Sequence, residues 1–310
     1  MNYKKIVFGV DVGGTNVKFG LFTYPERELI IKKEVKTPQA NQNELLFELI
    51  FNTINELVQS NQFEMSQVHG IGIAVPCPVK GGCVGKCPNL SWENMDIKDK
   101  ISQYFPEHVK VEVANDANAA ALGENESLDN PYNNAILITL GTGVGGGIVV
   151  NHKIHEGSSG MGGEIGHMFV YEESKEVCGC GSVGCFEQVC GTKGILSYAK
   201  YLAKSQQTSI NLSEITVKDV FDAAKTGDFV GKKVIDRVAY YIAKSASILA
   251  VTLDPEVFII GGGISKAGQY LIDQITIHYK KIARFTSGNI PFILAHTGND
   301  AGIIGSAHLI

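Results

Sequence analysis

The sequence predicts an α/β protein made of two related halves that flank a ligand cleft. Two observations carry this reading. A strand, a glycine turn and a second strand open the chain at 6–12, Gly13-Gly14-Thr15-Asn16 and 17–23, and the same succession returns at 135–140, 141–147 and 148–150. Each opening leads into alternating helical and extended patterns, the mark of a duplicated α/β architecture. A cleft between such halves is a natural ligand site. The 310 residues suffice for two domains of roughly 100–200 residues each.

The elements follow in order. Runs 6–12 (IVFGVDV) and 17–23 (VKFGLFT) are apolar and rich in β-branched residues and predict two strands, to which 29–35 could add a third. Leu45, Leu46, Leu49, Ile50, Ile54, Leu57 and Val58 keep a helical period. Residues 68–75 (VHGIGIAV) predict a buried strand that stops at Pro76, and 109–113 a short one. Asp116 opens the helix DANAAALGE as its N-cap. The second half begins near Asp129-Asn130-Pro131, which gives domains of 1–129 and 130–299. Its helices are expected at about 186–204, 217–226, 230–253 and 266–282, with strands at 257–260 and 291–295 and a last short helix at about 300–309.

Composition removes several classes of function. The chain is 44% hydrophobic and 19% charged with a net charge of −5, and it has no basic tract, so no nucleic-acid surface is expected. No apolar run reaches the roughly 20 residues of a membrane span. The opening MNYKKIVF is a short basic lead into a strand, not a secretion signal, and a cytoplasmic protein is expected. The 35 glycines exceed the roughly 22 of an average chain and sit in clusters at the ends of apolar runs.

Three of those clusters look like phosphate-binding turns: Asp11-Val12-Gly13-Gly14-Thr15-Asn16, Gly141-Thr142-Gly143-Val144-Gly145-Gly146-Gly147, and Gly261-Gly262-Gly263. Glycine lets backbone N–H groups approach phosphate oxygens closely, and Thr15 and Thr142 add hydroxyl donors. Asp11 is placed to hold Mg²⁺, directly or through water. Lys18 either meets a phosphate or is a solvated strand lysine. The first two clusters run from strand to strand, unlike Walker or dinucleotide loops, which run into a helix. Each taken alone could be a tight hairpin turn.

Asp116 follows Asn115 at a strand end, where a fixed carboxylate can orient an attacking hydroxyl and take its proton. Capping alone would also explain it. Asn89, Glu164, His167 and Glu187 are further polar groups in glycine-rich or apolar stretches, suited to reading the hydroxyls of a sugar ring. His167, Cys178, Cys180 and Cys185 give H-x10-C-x-C-x4-C, a closed zinc set, with a metal-free thiol cluster or a redox pair as the alternatives. Zinc with no open coordination position would fix a loop and not act as catalyst. Cys190 is expected on the following helix, and Cys77, Cys83 and Cys87 as free thiols.

Taken together, these residues resemble the ROK family of sugar kinases and sugar-responsive repressors, within the actin-like ATPase (ribonuclease H-like) fold. The resemblance covers essentially the whole chain: Asp11 to Asn16, Pro88-Asn89-Leu90, Asn115-Asp116-Ala117-Asn118-Ala119-Ala120, Gly141 to Gly147, Gly163-Glu164-Ile165-Gly166-His167, the CGCGSVGCFE run from Cys178 to Glu187, and Gly302-Ile303-Ile304-Gly305-Ser306-Ala307. It implies ATP-dependent phosphorylation of the C6 hydroxyl of a hexose. Glucose comes first, with allose, mannose or N-acetylmannosamine as alternatives. It implies Asp116 as the base, Asn89, Asn115, Glu164, His167 and Glu187 around the sugar, and zinc on His167 and the three cysteines. It also implies a C-terminal helix, 300–310, packed on the N-terminal domain, and a homodimer or homotetramer. The family's repressors carry a DNA-binding domain ahead of the first glycine turn, whereas ten residues precede Asp11, so a regulator is not expected. The three cysteines within residues 76–87 depart from the family pattern.

Overall fold

The computed structural model describes residues 5–38, 43–87, 90–284 and 289–310. Asn89 lies outside the described residues. The chain divides into two compact units: Met1–Pro131 with Gly147–Gly163 and Asn299–Ile310, and Tyr132–Gly146 with Glu164–Gly298.

In the first unit β1 (Lys5–Val12), β2 (Asn16–Tyr24), β3 (Leu29–Lys36), β4 (Val68–Val75) and β8 (Lys110–Asn115) form one sheet, in the order β3-β2-β1-β4-β8. β1 to β3 are antiparallel, and β1, β4 and β8 run parallel. Alternation along β1 sorts the two faces. Phe8 and Val10 join the core under helix α1 (Asn43–Ser60), with Phe47, Ile50, Ile54 and Leu57. Val7 points the other way, to Phe22, Ile303 and Ala307. Leu45, counted in the apolar stripe of α1, is exposed, and Phe47 takes its place in the core.

The C-terminal helix α9 (Ala301–Ala307) covers that second face at very short range. A Cβ at Gly9 would stand 1.8 Å from the Ile303 carbonyl oxygen, and one at Gly72 1.7 Å from that of Ser306. Glycine in mid-strand, a poor choice for a strand taken alone, is what lets the helix backbone touch the sheet.

Between β4 and β8 lies an unforeseen three-stranded sheet of β5 (Val79–Lys80), β6 (Cys83–Cys87) and β7 (Trp92–Asp96), followed by α2 (Ile97–Ser102). Its strands are too short for a period to show. Here one expectation is corrected: Cys77 and Cys87 are joined in a disulfide, their Cα atoms 5.2 Å apart, and Cys83 alone of the three is free. The β5–β6 hairpin folds the chain back, so ten positions of sequence separation become a bridgeable distance.

After α3 (Asp116–Glu126), strands β9 (Asn134–Leu140), β10 (Val144–Val150), β11 (Lys153–Ile154), β12 (Val257–Gly261) and β13 (Phe292–Leu294) form a second five-stranded sheet, ordered β11-β10-β9-β12-β13. β12 is buried along its whole length and pairs in parallel with β9 and β13. β10 begins at Val144, so Gly145-Gly146-Gly147 belong to the strand and only Gly141-Thr142-Gly143 to the turn. The helix expected at 186–204 breaks at Gly191 into α4 (Glu187–Cys190) and α5 (Thr192–Leu202). A Cβ at Gly191 would stand 2.8 Å from the Thr142 carbonyl oxygen. Helices α6 (Val217–Thr226), α7 (Phe229–Leu253) and α8 (Gln269–Ile282) belong to the second unit, whereas β11 and the end of β10 fall in the first. A 3₁₀ turn over Gly263–Ala267 replaces the first turn expected of α8.

Candidate functional site

In the first unit the candidate residues gather at the carboxyl ends of β1 and β8, where loops of a parallel sheet are free to carry chemistry. The turn after β1 closes through Gly13 N–H to the Asn16 carbonyl at 3.0 Å. Thr37 steadies it, its N–H donating to the Thr15 carbonyl at 2.9 Å and its hydroxyl to that of Gly13 at 2.7 Å. Asn16 Nδ2 donates to Glu34, while Gly14 and Thr15 remain exposed. Asp11 is half-buried, its Oδ2 3.9 Å from Lys18 Nζ. Burial raises the Asp11 pKa above the usual carboxylate value, against the opposing pull of Lys18. Lys18 Nζ also donates to the Asn299 carbonyl at 3.1 Å, so this lysine is not free in solvent.

At the end of β8 the division of labour differs from expectation. The N-cap of α3 is Asn115, whose Oδ1 accepts from Ala117 N–H (3.0 Å) and Asn118 N–H (3.1 Å). Its Nδ2 donates to the Cys77 carbonyl at 3.2 Å and to Asp116 Oδ1 at 3.1 Å. Asp116 Oδ1 also accepts from Ala117 N–H at 2.7 Å. Relieved of capping by its neighbour, Asp116 sits in the first turn of α3 with its carboxylate fixed on one side.

In the second unit the β9–β10 turn closes through Gly141 N–H to the Gly143 carbonyl at 2.9 Å. Thr192, at the start of α5, donates its N–H and its hydroxyl to the Gly141 carbonyl. Glu187 Oε2 accepts from Val144 N–H at 3.2 Å, and a Cβ on Gly143 would stand 2.0 Å from that oxygen. Neither Thr192 nor this contact of Glu187 is visible in the sequence, because both depend on α4 and α5 folding back on the turn. Gly261 ends β12, Gly262 follows with φ 81°, and Gly263 has open space beside its Cα.

His167, Cys178, Cys180 and Cys185 come together, one ligand atom from each, all within 4.8 Å of one another. His167 Nδ1 lies 3.7 Å from Cys178 Sγ, and the Sγ atoms of Cys180 and Cys185 are 3.6 Å apart. Zn–S bonds of about 2.3 Å around a tetrahedral ion need sulfurs about this far apart, so the donor set fits zinc in number, kind and spacing. A Ser182 backbone hydrogen bond lowers Cys180 to about 7, whereas burial raises Cys185 to about 12. Cys178 Sγ reaches Glu187 Oε1 at 3.7 Å, so this carboxylate links the cluster to the β9–β10 turn. Glu164 starts the short 3₁₀ turn that ends at His167. Cys190 stands apart, buried on α4, its thiol facing the Val238 carbonyl.

The profile of the ROK family matches residues 7–310. A glucokinase of Halalkalibacterium halodurans is 37% identical over 97% of this chain and 94% of its own length. The crystal structure of a ROK family glucokinase from Streptomyces griseus, in complex with glucose and AMPPNP, aligns with a TM-score of 0.72 at 30% identity, over 98% of both chains. A ROK hexokinase from Thermus thermophilus aligns with a TM-score of 0.81 at 25% identity, over 98% of this chain and 97% of that one. The fold is therefore the actin-like ATPase fold of the ROK sugar kinases. With the glycine turns, the Asn115-Asp116 pair and the histidine–cysteine cluster each formed within its own unit, and a family match running from β1 to the last residue, the chain belongs to the ROK family.

Proposed function

We propose that this protein is an ATP-dependent glucokinase that phosphorylates the C6 hydroxyl of glucose. The observation that carries the reading is the Asn115-Asp116 arrangement, in a chain similar to glucokinases along nearly its whole length. Asp116 accepts the proton of the attacking hydroxyl, and Asn115 holds the carboxylate in place while capping α3. The N–H groups of the Gly13-Gly14-Thr15-Asn16 and Gly141-Thr142-Gly143 turns receive the phosphates of ATP, and Gly261-Gly262-Gly263 admits the nucleotide close to the backbone. Asp11 holds Mg²⁺, whose charge offsets that of the phosphates. Asn89, Glu164, His167 and Glu187 read the sugar hydroxyls. His167, Cys178, Cys180 and Cys185 hold a structural zinc, which leaves the second ring nitrogen of His167 for the sugar.

Steady-state turnover with ATP and a panel of glucose, mannose, allose and N-acetylmannosamine tests this. Glucose should give the highest kcat/KM, and Asp116→Ala should lower kcat by about 10²–10⁴-fold. Preference for another hexose would reassign the substrate, and a variant with full turnover would remove Asp116 as the base.

A further inference from the structure

The second unit holds a cavity of about 590 Å³, most of whose lining has no part in the proposed reaction. Its lining takes in Thr142, Gly143 and Glu187 of the candidate site, together with residues of α5, α7 and the stretch 171–179. Arg237, half-buried on α7, is part of that lining. Its guanidinium lies 4.3 Å from the ring centre of Tyr198, 4.8 Å from that of Tyr171 and 5.7 Å from that of Tyr241.

Three aromatic faces hold the charge and fix its plane, but a ring face does not fill the N–H donors of an arginine. Glu173 lines the same cavity, and the other nearby carboxylates are engaged elsewhere. Asp236, its neighbour in sequence, pairs with His278 at 2.8 Å. Glu176 pairs with Lys193 at 2.8 Å, and Glu187 is held by Val144 N–H. Among the described residues no carboxylate forms an ion pair with Arg237. A pre-oriented, unfilled guanidinium fork at the edge of a cavity this large matches bidentate recognition of a phosphate, and Lys175 lines the same wall.

We infer that this cavity is a second ligand site, in which Arg237 clamps the phosphate of a small phosphomonoester. Two sources share that chemistry: a phosphorylated hexose, or the phosphates of the donor nucleotide reaching past the Thr142-Gly143 turn. The inference commits to the first. Arg237 lines the same cavity as Glu187 and the Thr142-Gly143 turn, so a ligand held by it would be felt by turnover.

The test is calorimetric titration of the full chain with glucose 6-phosphate and, separately, inorganic phosphate. The protein is first saturated with glucose and a non-hydrolysable ATP analogue, so that both substrate positions are filled. Glucose 6-phosphate should still bind, and inorganic phosphate should displace it. Arg237→Gln should weaken this binding by at least about tenfold, and Arg237→Lys by a similar factor, because the charge without the fork is not enough. Affinity for the ATP analogue should stay within about twofold in both variants, and their circular dichroism and melting curves control for folding. If Arg237→Gln does not fold, the wild-type titration and Arg237→Lys decide. The inference is overturned if no phosphomonoester binds the saturated protein, if binding ignores both substitutions, or if the substitutions weaken the ATP analogue instead. None of these readings needs turnover, so failure here is separable from failure of the glucokinase assignment.

Discussion

Asp116 owes its position to the residue before it. Asn115 caps α3 with Oδ1 and uses Nδ2 to tie Asp116 to the Cys77 carbonyl, so one amide side chain connects β8, α3 and the segment after β4. Asn115→Asp separates the two roles. The cap survives, since aspartate caps as well as asparagine, but both donated hydrogen bonds are lost and a like charge appears beside the base. The melting temperature should change little, while kcat falls by at least about tenfold and the acid limb of its pH profile moves up, as an adjacent carboxylate raises the pKa of Asp116. An unchanged pH profile would contradict this coupling. Asp11 offers a second test. Burial already raises its pKa, and only the carboxylate form holds Mg²⁺. On acidification Asp11 therefore takes up its proton earlier than an ordinary carboxylate would. The Mg²⁺ concentration for half-maximal rate should rise as the pH falls, beginning above the usual aspartate range, and Asp11→Asn should flatten that rise.

The elements make different demands on the sequence. Helix α9 can lie on β1 and β4 only because Gly9 and Gly72 carry no side chain. Gly72→Ala places a methyl group within 1.7 Å of the Ser306 carbonyl oxygen. Backbone cannot yield as a flexible side chain would, so unfolding by denaturant should show a loss of about 3 kcal/mol or more. A variant as stable as the parent would mean that α9 is free to shift. The histidine–cysteine cluster makes another demand. Its four residues come from a 3₁₀ turn and a glycine-rich loop with little regular structure, and Glu187 then connects them to the β9–β10 turn. Elemental analysis should find about one zinc per chain. Chelation should weaken glucose binding before nucleotide binding, with nucleotide affinity following as Glu187 loses its partner. Metal-free protein with undiminished glucose affinity would refute the zinc assignment.

Across the whole molecule, legibility followed the range over which each signal acts. β1, β2, β4, β9 and β12, α1 and α7 were readable because periodicity and β-branched runs are local properties. The histidine–cysteine cluster was equally plain, since its spacing lies within one nineteen-residue stretch, from His167 to Cys185. The small β5-β6-β7 sheet was not, because strands of two to five residues carry no period. The Cys77–Cys87 disulfide escaped for a related reason: spacing along a chain says nothing of distance until the hairpin between the cysteines is known. Residue chemistry and short-range pattern alone determined the α/β class, the glycine turns, the Asn115-Asp116 pair and the histidine–cysteine set, because each is written in neighbouring positions. Only the tertiary structure decided which of Asn115 and Asp116 caps α3, that Glu187 joins the histidine–cysteine cluster to the β9–β10 turn, and that Arg237 stands among three tyrosines with no ion pair to a carboxylate among the described residues. These are contacts between residues brought together from separate elements, and side-chain partners at that range are set by packing, which a linear pattern does not encode.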